Sequence, residues 1–285
     1  MIEKTNLLIT LLISFAVILT MRIIFQHITA YTIKKGKILI QSAYTAVNKQ
    51  KTIQPFHRVH YIARRLNPNQ FCGLPITILF FLAAIIVALM VALLSALLLS
   101  DSLATLDQTV NSFFAPFRSP LLVKLFVEVT SLGTIAVMGL TVFVSSALLW
   151  SFNRRQALLP FWTTFMGAEI TTWIIKYAVD RSRPSFLDGI TELNPSFPSG
   201  HATAATAVVG FIGYIIARDL PNFKQRYEAS FWSAVLIGAI CFSRIFLSLH
   251  YLSDVVAGFL TGCFWLLIGC VIFEMKRAQQ TRALA

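Results

Sequence analysis

Three clusters of polar residues interrupt an otherwise apolar chain, and their side chains are of the types that bind and cleave phosphate. The clusters lie at 176–184, 198–201 and 243–254. From them we select eight candidate site residues: Lys176, Arg183, Ser199, Gly200, His201, Arg244, His250 and Asp254. They supply three cations, two imidazoles, a hydroxyl, a glycine backbone and a carboxylate, an inventory that suits a tetrahedral dianion.

The cations and the glycine are suited to holding phosphoryl oxygens. Arg183 and Arg244 each present a planar fork that matches two oxygens, and Lys176 adds a point charge. Ser199 and Gly200 directly precede an apolar run, so backbone N–H groups at the start of a helix would point at the anion, and glycine permits close approach. We therefore expect an anion clamp.

The two histidines supply groups that can break a bond. His250 and Asp254 are four residues apart, so on a helix they would share a face and the carboxylate would bind one ring nitrogen. The other nitrogen is then a nucleophile, and His201 is left to protonate a leaving group. Each motif alone is weak evidence for a functional site, but three such clusters at the ends of apolar runs indicate a single site.

The composition requires a membrane to position these clusters. Of 285 residues, 56% are hydrophobic and only 13% are charged, which excludes an ordinary soluble globule. The net charge of +12 does not indicate nucleic acid, because the uncharged runs leave no extended basic surface. The four cysteines lack the spacing of a zinc site or a disulfide framework. The sequence predicts an all-α polytopic membrane protein.

Seven membrane spans are predicted from the uncharged runs, at 6–29, 74–100, 129–153, 158–178, 202–217, 229–243 and 255–273. We divide the chain into an N-terminal transmembrane anchor (1–30), a basic cytoplasmic amphipathic segment (31–73), a six-helix domain (74–275) and a cytoplasmic tail (276–285). A signal peptide is the alternative for the first span, but its positive charge follows the apolar run.

The placement of basic residues predicts the orientation. The segment 30–70 contains eight Lys and Arg and no Asp or Glu, so it should be cytoplasmic, and the three clusters then face outward. Within it we expect two short helices on the inner leaflet or, alternatively, a solvated linker. Asp101 and Asp107 are expected in a solvated outer loop, whereas Glu169 either lines a polar interior or pairs structurally.

The spacing of the clusters resembles a known family. Lys-x6-Arg-Pro, Pro-Ser-Gly-His and Ser-Arg-x5-His-x3-Asp are similar to the three-part signature of the type 2 phosphatidic acid phosphatase superfamily, over residues 74–273. The resemblance implies that His250 forms a phosphohistidine, Asp254 orients it and His201 protonates the leaving oxygen. It also implies that the phosphoryl oxygens are held by Lys176, Arg183, Ser199, Gly200 and Arg244. No metal and no cofactor are expected.

Several functions fit these residues. The first is a lipid phosphatase of the inner or plasma membrane, with its site outside the cytoplasm. Its substrate would be undecaprenyl diphosphate, phosphatidic acid or phosphatidylglycerol phosphate, so its partners are a membrane lipid and the bilayer, with no nucleic acid. A vanadium-dependent haloperoxidase-like enzyme is a second reading of the same pocket. A non-catalytic phosphate-binding transporter is a third, although simple binding needs no nucleophile.

Overall fold

The protein is built from helices. The computed structural model describes residues 2–53, 74–184 and 194–283, and within these ranges no strand is present. The helices are α1 (Ile2–Ile53), α2 (Leu74–Leu99), α3 (Asp101–Phe114), α4 (Pro120–Ser131), α5 (Ile135–Ser151), α6 (Leu158–Val179), α7 (Gly200–Asp219), α8 (Phe223–Phe246) and α9 (Leu252–Ala283). The predicted all-α membrane fold is confirmed.

The number of membrane spans depends on how one bent helix pair is counted. Among the described residues, five helices are long and apolar enough to cross a membrane, or six if α4 and α5 form one span. Helix α6 was predicted as a span but is not among the five. It is 22 residues long and carries Glu169, Thr172 and Lys176 on its buried side. A core of six spans plus an N-terminal one therefore stays a prediction.

The predicted uninterrupted span over 129–153 is wrong at its beginning. Helix α4 ends at Ser131, α5 begins at Ile135, and the two are bent by 43°. Thr134 caps α5, and its hydroxyl accepts a hydrogen bond from the Val137 amide at 3.4 Å. The break consists of Leu132, Gly133 and Thr134 and contains no charge, so hydropathy does not reveal it. It places Gly133 at the wall of the cavity described below.

Helix α7 is the centre of the domain and packs most extensively against α9 and α8. Its first half is built mostly of small residues that are completely buried. Gly258 and Gly262 on α9 face this half. A Cβ atom at Gly262 would lie only 2.5 Å from Thr206 Cβ, so glycine is needed for this approach. The close packing fixes the start of α7 against the start of α9.

Helix α1 is much longer than the span predicted within it. Its 52 residues extend over about 78 Å at 1.5 Å per residue, compared with a hydrocarbon core of about 30 Å. It contacts α8 through an Arg22–Glu228 ion pair at 3.4 Å, and the Tyr227 hydroxyl donates to the Arg22 carbonyl at 2.9 Å. The first expected amphipathic helix is part of α1, and the second lies outside the described residues. The assignment of 31–73 to the cytoplasm stays a prediction.

Candidate active site

The three sequence clusters meet at one end of the bundle, around a cavity of about 120 Å³. Its wall includes five of the eight candidate residues, namely Lys176, Arg183, Gly200, His201 and His250. The other three, Ser199, Arg244 and Asp254, lie behind this wall and are at most 1% exposed. The structure thus brings all eight residues into one region, with a front layer that faces the cavity and a layer that supports it.

His250 presents one ring nitrogen to a cation and the other to a buried carboxylate. Its Nε2 lies 3.0 Å from Arg183 Nη1. Its Nδ1 lies 3.3 Å from Ser196 Oγ and 3.5 Å from Asp254 Oδ2, and the Ser196 hydroxyl donates to that same carboxylate oxygen. The network therefore assigns the ring proton to Nδ1 and the lone pair to Nε2.

The link between His250 and Asp254 differs from the expected one in two respects. Helix α9 begins at Leu252, so His250 precedes the helix and does not share a helical face with Asp254. The carboxylate approaches the ring because the Tyr251 amide donates to Asp254 Oδ2 at 2.9 Å and folds the chain back. In addition, Ser196 interacts with both groups, a contact that the sequence motifs did not predict.

The Asp254 carboxylate belongs to a buried network that extends to α3. Arg181 Nη1 binds Asp254 Oδ1 at 2.5 Å, and its Nη2 binds Asp107 Oδ2 at 2.8 Å. Ser253 closes the network, since its amide donates to Asp107 Oδ1 at 3.0 Å and its hydroxyl accepts from Arg181 at 2.7 Å. Burial acts to lower the pKa of Arg181, but the charges and hydrogen bonds of the two carboxylates outweigh it and raise that pKa, so Arg181 stays charged.

Asp107 was predicted in a solvated outer loop, and this is wrong. It lies on α3, is 1% exposed and binds Arg181 and Ser253. No sequence pattern indicates this contact, because Asp107 is 146 residues from Ser253. Arg181 was also missed as a site residue, although it lies within the first cluster.

Backbone carbonyls hold the two cations at the cavity wall. Arg183 donates to the carbonyls of Asn194 and Leu249, both at 2.8 Å, and Lys176 Nζ donates to the Pro195 carbonyl at 2.5 Å. These acceptors come from the segments before α7 and before α9. These carbonyls are neutral acceptors, and they orient both cations at the cavity wall.

Arg244 occupies a different position from the other two cations. Its guanidinium is almost fully buried, and Nη1 donates to Thr130 Oγ1 at 3.2 Å. Its backbone carbonyl accepts from the amides of Leu249 at 3.1 Å and His250 at 3.3 Å. Arg244 therefore ties α4 to α8 and fixes the backbone at His250, in addition to any contact with substrate.

The first turn of α7 is held by contacts with α9 on one side and with the α4–α5 break on the other. The Ser199 amide donates to the Asp254 carbonyl at 2.9 Å, and a Cβ atom at Gly258 would collide with the Ser199 carbonyl. On the other side, a Cβ atom at Gly133 would lie 3.1 Å from His201 Cδ2. These contacts hold the first turn of α7, with Gly200 and His201, at the cavity wall.

Two polar residues of α6 also line the cavity and were not selected from the sequence. Glu169 and Thr172 lie on the buried side of α6, 8% and 1% exposed. Glu169 Oε1 and Thr172 Oγ1 make no hydrogen bond with the described residues. Of the two expectations for Glu169, the structure supports the lining of a polar interior.

The helices define a membrane protein, and its cavity brings together cations and imidazoles in front of a buried carboxylate, which are side chains of the types that bind phosphate. The PAP2 superfamily model matches residues 132–278, which is 147 of the 285 residues. The chain belongs to the PAP2 superfamily.

Known proteins similar to this chain include several lipid phosphatases. Phosphatidylglycerophosphatase B of Bacillus subtilis is 26% identical over 167 residues, 57% of this chain and 81% of that protein. Decaprenylphosphoryl-5-phosphoribose phosphatase of Mycobacterium tuberculosis is 30% identical over 132 residues, 45% of this chain and 66% of that protein. Lipid A 1-phosphatase of Rhizobium etli is 28% identical over 137 residues, 42% of this chain and 55% of that protein.

A solved structure has the same fold. The crystal structure of the transmembrane PAP2-type phosphatidylglycerolphosphate phosphatase of Bacillus subtilis superposes with a TM-score of 0.63 at 22% identity, covering 69% of this chain and 96% of that one. This similarity establishes the fold, and the relatives are hydrolases that act on lipid phosphates.

Proposed function

We propose that this protein is a membrane lipid phosphatase that transfers the phosphoryl group of its substrate to His250 and then to water. The observation that carries the proposal is the environment of His250 Nε2. This nitrogen lies at the cavity wall, 3.0 Å from a cation, while Nδ1 faces the Ser196–Asp254 pair. A nucleophile and an anion-binding group thus converge on one point.

In the first step His250 Nε2 attacks phosphorus as the bond to the leaving oxygen breaks. The leaving oxygen takes the bonding electron pair and receives a proton from His201, which lines the same cavity. The Nε2 lone pair that accepts a hydrogen bond from Arg183 is also the pair that attacks phosphorus. Arg183 must therefore release Nε2 and donate to a phosphoryl oxygen instead. Lys176 and the first turn of α7 neutralise the remaining charge.

In the second step water attacks the phosphohistidine. His201, now neutral, accepts a proton from the water, the P–N bond breaks, and inorganic phosphate leaves. The Asp254 carboxylate and Ser196 stabilise the imidazolium that exists while Nε2 carries the phosphoryl group. All charge stabilisation comes from side chains and backbone, so a metal ion is not required by this mechanism.

The substrate class follows from the membrane fold and from the relatives. A phosphatidylglycerophosphatase, a decaprenylphosphoryl-phosphoribose phosphatase and a lipid A phosphatase each remove phosphate from a lipid. We extend this to the present chain, with phosphatidylglycerol phosphate, phosphatidic acid and undecaprenyl diphosphate as candidates. The excess of basic residues in segment 30–70 supports a site on the extracytoplasmic face.

Phosphate release by the purified protein in detergent tests this function. We expect the wild type to release phosphate from at least one of the three lipids and His250→Ala to release none. Phosphate that binds without being released would instead indicate a transporter or binding protein. Loss of activity in Arg118→Gln equal to that in His250→Ala would show that the assay reports folding, because Arg118 anchors the same end of the bundle through hydrogen bonds to Phe246 and Asn111 and does not line the cavity.

A further inference from the structure

Two residues of the cavity wall have no part in the reaction proposed above. Glu169 and Thr172 follow α6 toward Lys176 with spacings of three and four residues, so all three side chains lie on one face of the helix. All three line the cavity that also contains Arg183, His201 and His250. Any headgroup bound at the cations therefore lies within the same enclosure as the Glu169 carboxyl group and the Thr172 hydroxyl group.

Both side chains have polar atoms that need a partner. Glu169 is 8% exposed and Thr172 1% exposed, and neither Glu169 Oε1 nor Thr172 Oγ1 has a hydrogen-bond partner within the described residues. Buried polar groups in proteins are nearly always hydrogen-bonded, to protein, water or ligand. Their partner must therefore come from the cavity that they face.

The charge of a carboxylate restricts the identity of that partner. A phosphate group carries negative charge, so the Glu169 carboxylate would repel it, and a neutral donor is the better partner for Glu169 Oε1. A hydroxyl group, in contrast, donates to a carboxylate oxygen and accepts from a threonine hydroxyl. The pair Glu169 and Thr172 provides one acceptor and one donor, which together match one alcohol.

We propose that Glu169 and Thr172 bind a free hydroxyl group of the substrate, next to the phosphate that is cleaved. The substrate is then a lipid phosphomonoester whose headgroup is a polyol, as in a glycerophosphate. The cavity of about 120 Å³ is lined both by the cations and by Glu169 and Thr172, so a phosphoryl group and a neighbouring hydroxyl of one headgroup would share it. This inference rests on the proposed phosphatase function and narrows its three candidate substrates to phosphatidylglycerol phosphate.

The other two candidates lack the required hydroxyl. In phosphatidic acid the carbon next to the phosphate-bearing carbon carries an ester, and in undecaprenyl diphosphate the chain is a hydrocarbon. Neither offers an O–H donor beside the scissile phosphate. With these lipids Glu169 Oε1 would gain no hydrogen bond from the substrate, so binding in the transition state would be weaker than with a hydroxylated lipid.

A pair of lipids that differ by one hydroxyl tests this proposal. Phosphatidylglycerol phosphate and its deoxy analogue, with hydrogen in place of the headgroup hydroxyl, are assayed as separate substrates of the purified protein. We expect the wild type to prefer the hydroxylated lipid by roughly 10- to 100-fold in kcat/KM, the range of one hydrogen bond to a charged group. Glu169→Leu should remove this preference by slowing only the hydroxylated lipid, and Thr172→Val should reduce it.

The ratio of two substrates on one preparation is insensitive to partial misfolding. Glu169→Gln keeps the size of the side chain and an acceptor oxygen but removes the negative charge, so it should retain a reduced preference for the hydroxylated lipid. Comparison with Glu169→Leu then shows how much of the preference comes from the charge and how much from the hydrogen bond. Glu128→Leu is the control, because Glu128 is an exposed glutamate on α4 outside the cavity wall, and its preference should equal that of the wild type.

The possible results separate this inference from the proposed function. Equal rates of the wild type on both lipids, or an equal loss on both in Glu169→Leu, would overturn the hydroxyl subsite while leaving the phosphatase intact. If the wild type releases phosphate from neither lipid but hydrolyses phosphatidic acid or undecaprenyl diphosphate, the subsite is also refuted. If it hydrolyses no lipid phosphate at all, the proposed function itself fails.

Discussion

Replacing Arg181 by Gln should damage both the stability and the turnover of this protein. The Arg181 guanidinium bridges the carboxylates of Asp254 at 2.5 Å and Asp107 at 2.8 Å, and both carboxylate side chains are 0% exposed. Removing one partner of a buried ion pair leaves an uncompensated charge and typically costs about 3–5 kcal/mol. We therefore expect a marked fall in the melting temperature.

Arg181 should affect turnover indirectly, through the orientation of the His250 ring. Arg181 contacts Asp254, which together with Ser196 orients the His250 ring. Substitutions of such outer partners cost roughly 10- to 100-fold in well-studied metal sites, and we expect a loss of kcat in that range. KM should change little, because Arg181 does not line the cavity. Arg181→Lys keeps one charge but not the fork, so it should fall in between.

The assay is phosphate release measured at a temperature well below the melting point of every variant. Arg118→Gln is the matched control, because Arg118 anchors the same end of the bundle by hydrogen bonds to Phe246 and Asn111. We expect it to lower stability with a much smaller effect on kcat. A kcat of Arg181→Gln within about three-fold of the wild type would refute the positioning role, since outer-partner losses begin near ten-fold.

Four shorter predictions follow from the same geometry. Arg183→Lys should lose about 100-fold or more in kcat/KM, because lysine cannot reproduce the planar fork, and near-normal kinetics would make Arg183 structural. His201→Ala should be severely impaired on a lipid phosphate but partly active on p-nitrophenyl phosphate, whose leaving group needs little protonation, and the reverse pattern in His250→Ala would exchange the two roles. EDTA should leave the wild-type rate unchanged in phosphate-release assays, and strong inhibition would point to a metal. In a cysteine-free background, Ser102→Cys should react with an impermeant thiol reagent in intact cells and Lys224→Cys should not, and labelling of the second alone would place the site on the cytoplasmic face.

The location of the site could be predicted from the sequence because its charged residues stand at the ends of long uncharged, apolar runs. Lys176 and Arg244 stand at the ends of apolar runs, where a charge is expensive and usually functional. The apolar runs themselves predicted the helices, since a backbone in lipid must satisfy its own hydrogen bonds. The structure accordingly brings the selected residues together around one cavity.

The network behind the site could not be predicted, because it depends on contacts between distant parts of the chain. Asp107 is 74 residues from Arg181, and an isolated aspartate after an apolar run is indistinguishable from a loop residue. Ser196 is an ordinary serine until folding brings it between His250 and Asp254. The bend at Gly133 was also invisible, since a break without charge or proline leaves the hydropathy pattern unchanged.

Detection of the phosphorylated enzyme tests the central claim most directly. The wild type, His201→Ala and His250→Ala are each mixed with a labelled lipid phosphate or a labelled aryl phosphate, quenched within the first turnover and digested. The phosphorylated peptide is identified by mass spectrometry. The mechanism predicts an acid-labile phosphoryl group on His250, present at higher occupancy in His201→Ala when an aryl phosphate is the substrate, and absent from His250→Ala. A phosphoryl group on another residue, or phosphate release by His250→Ala at the wild-type rate, would contradict it.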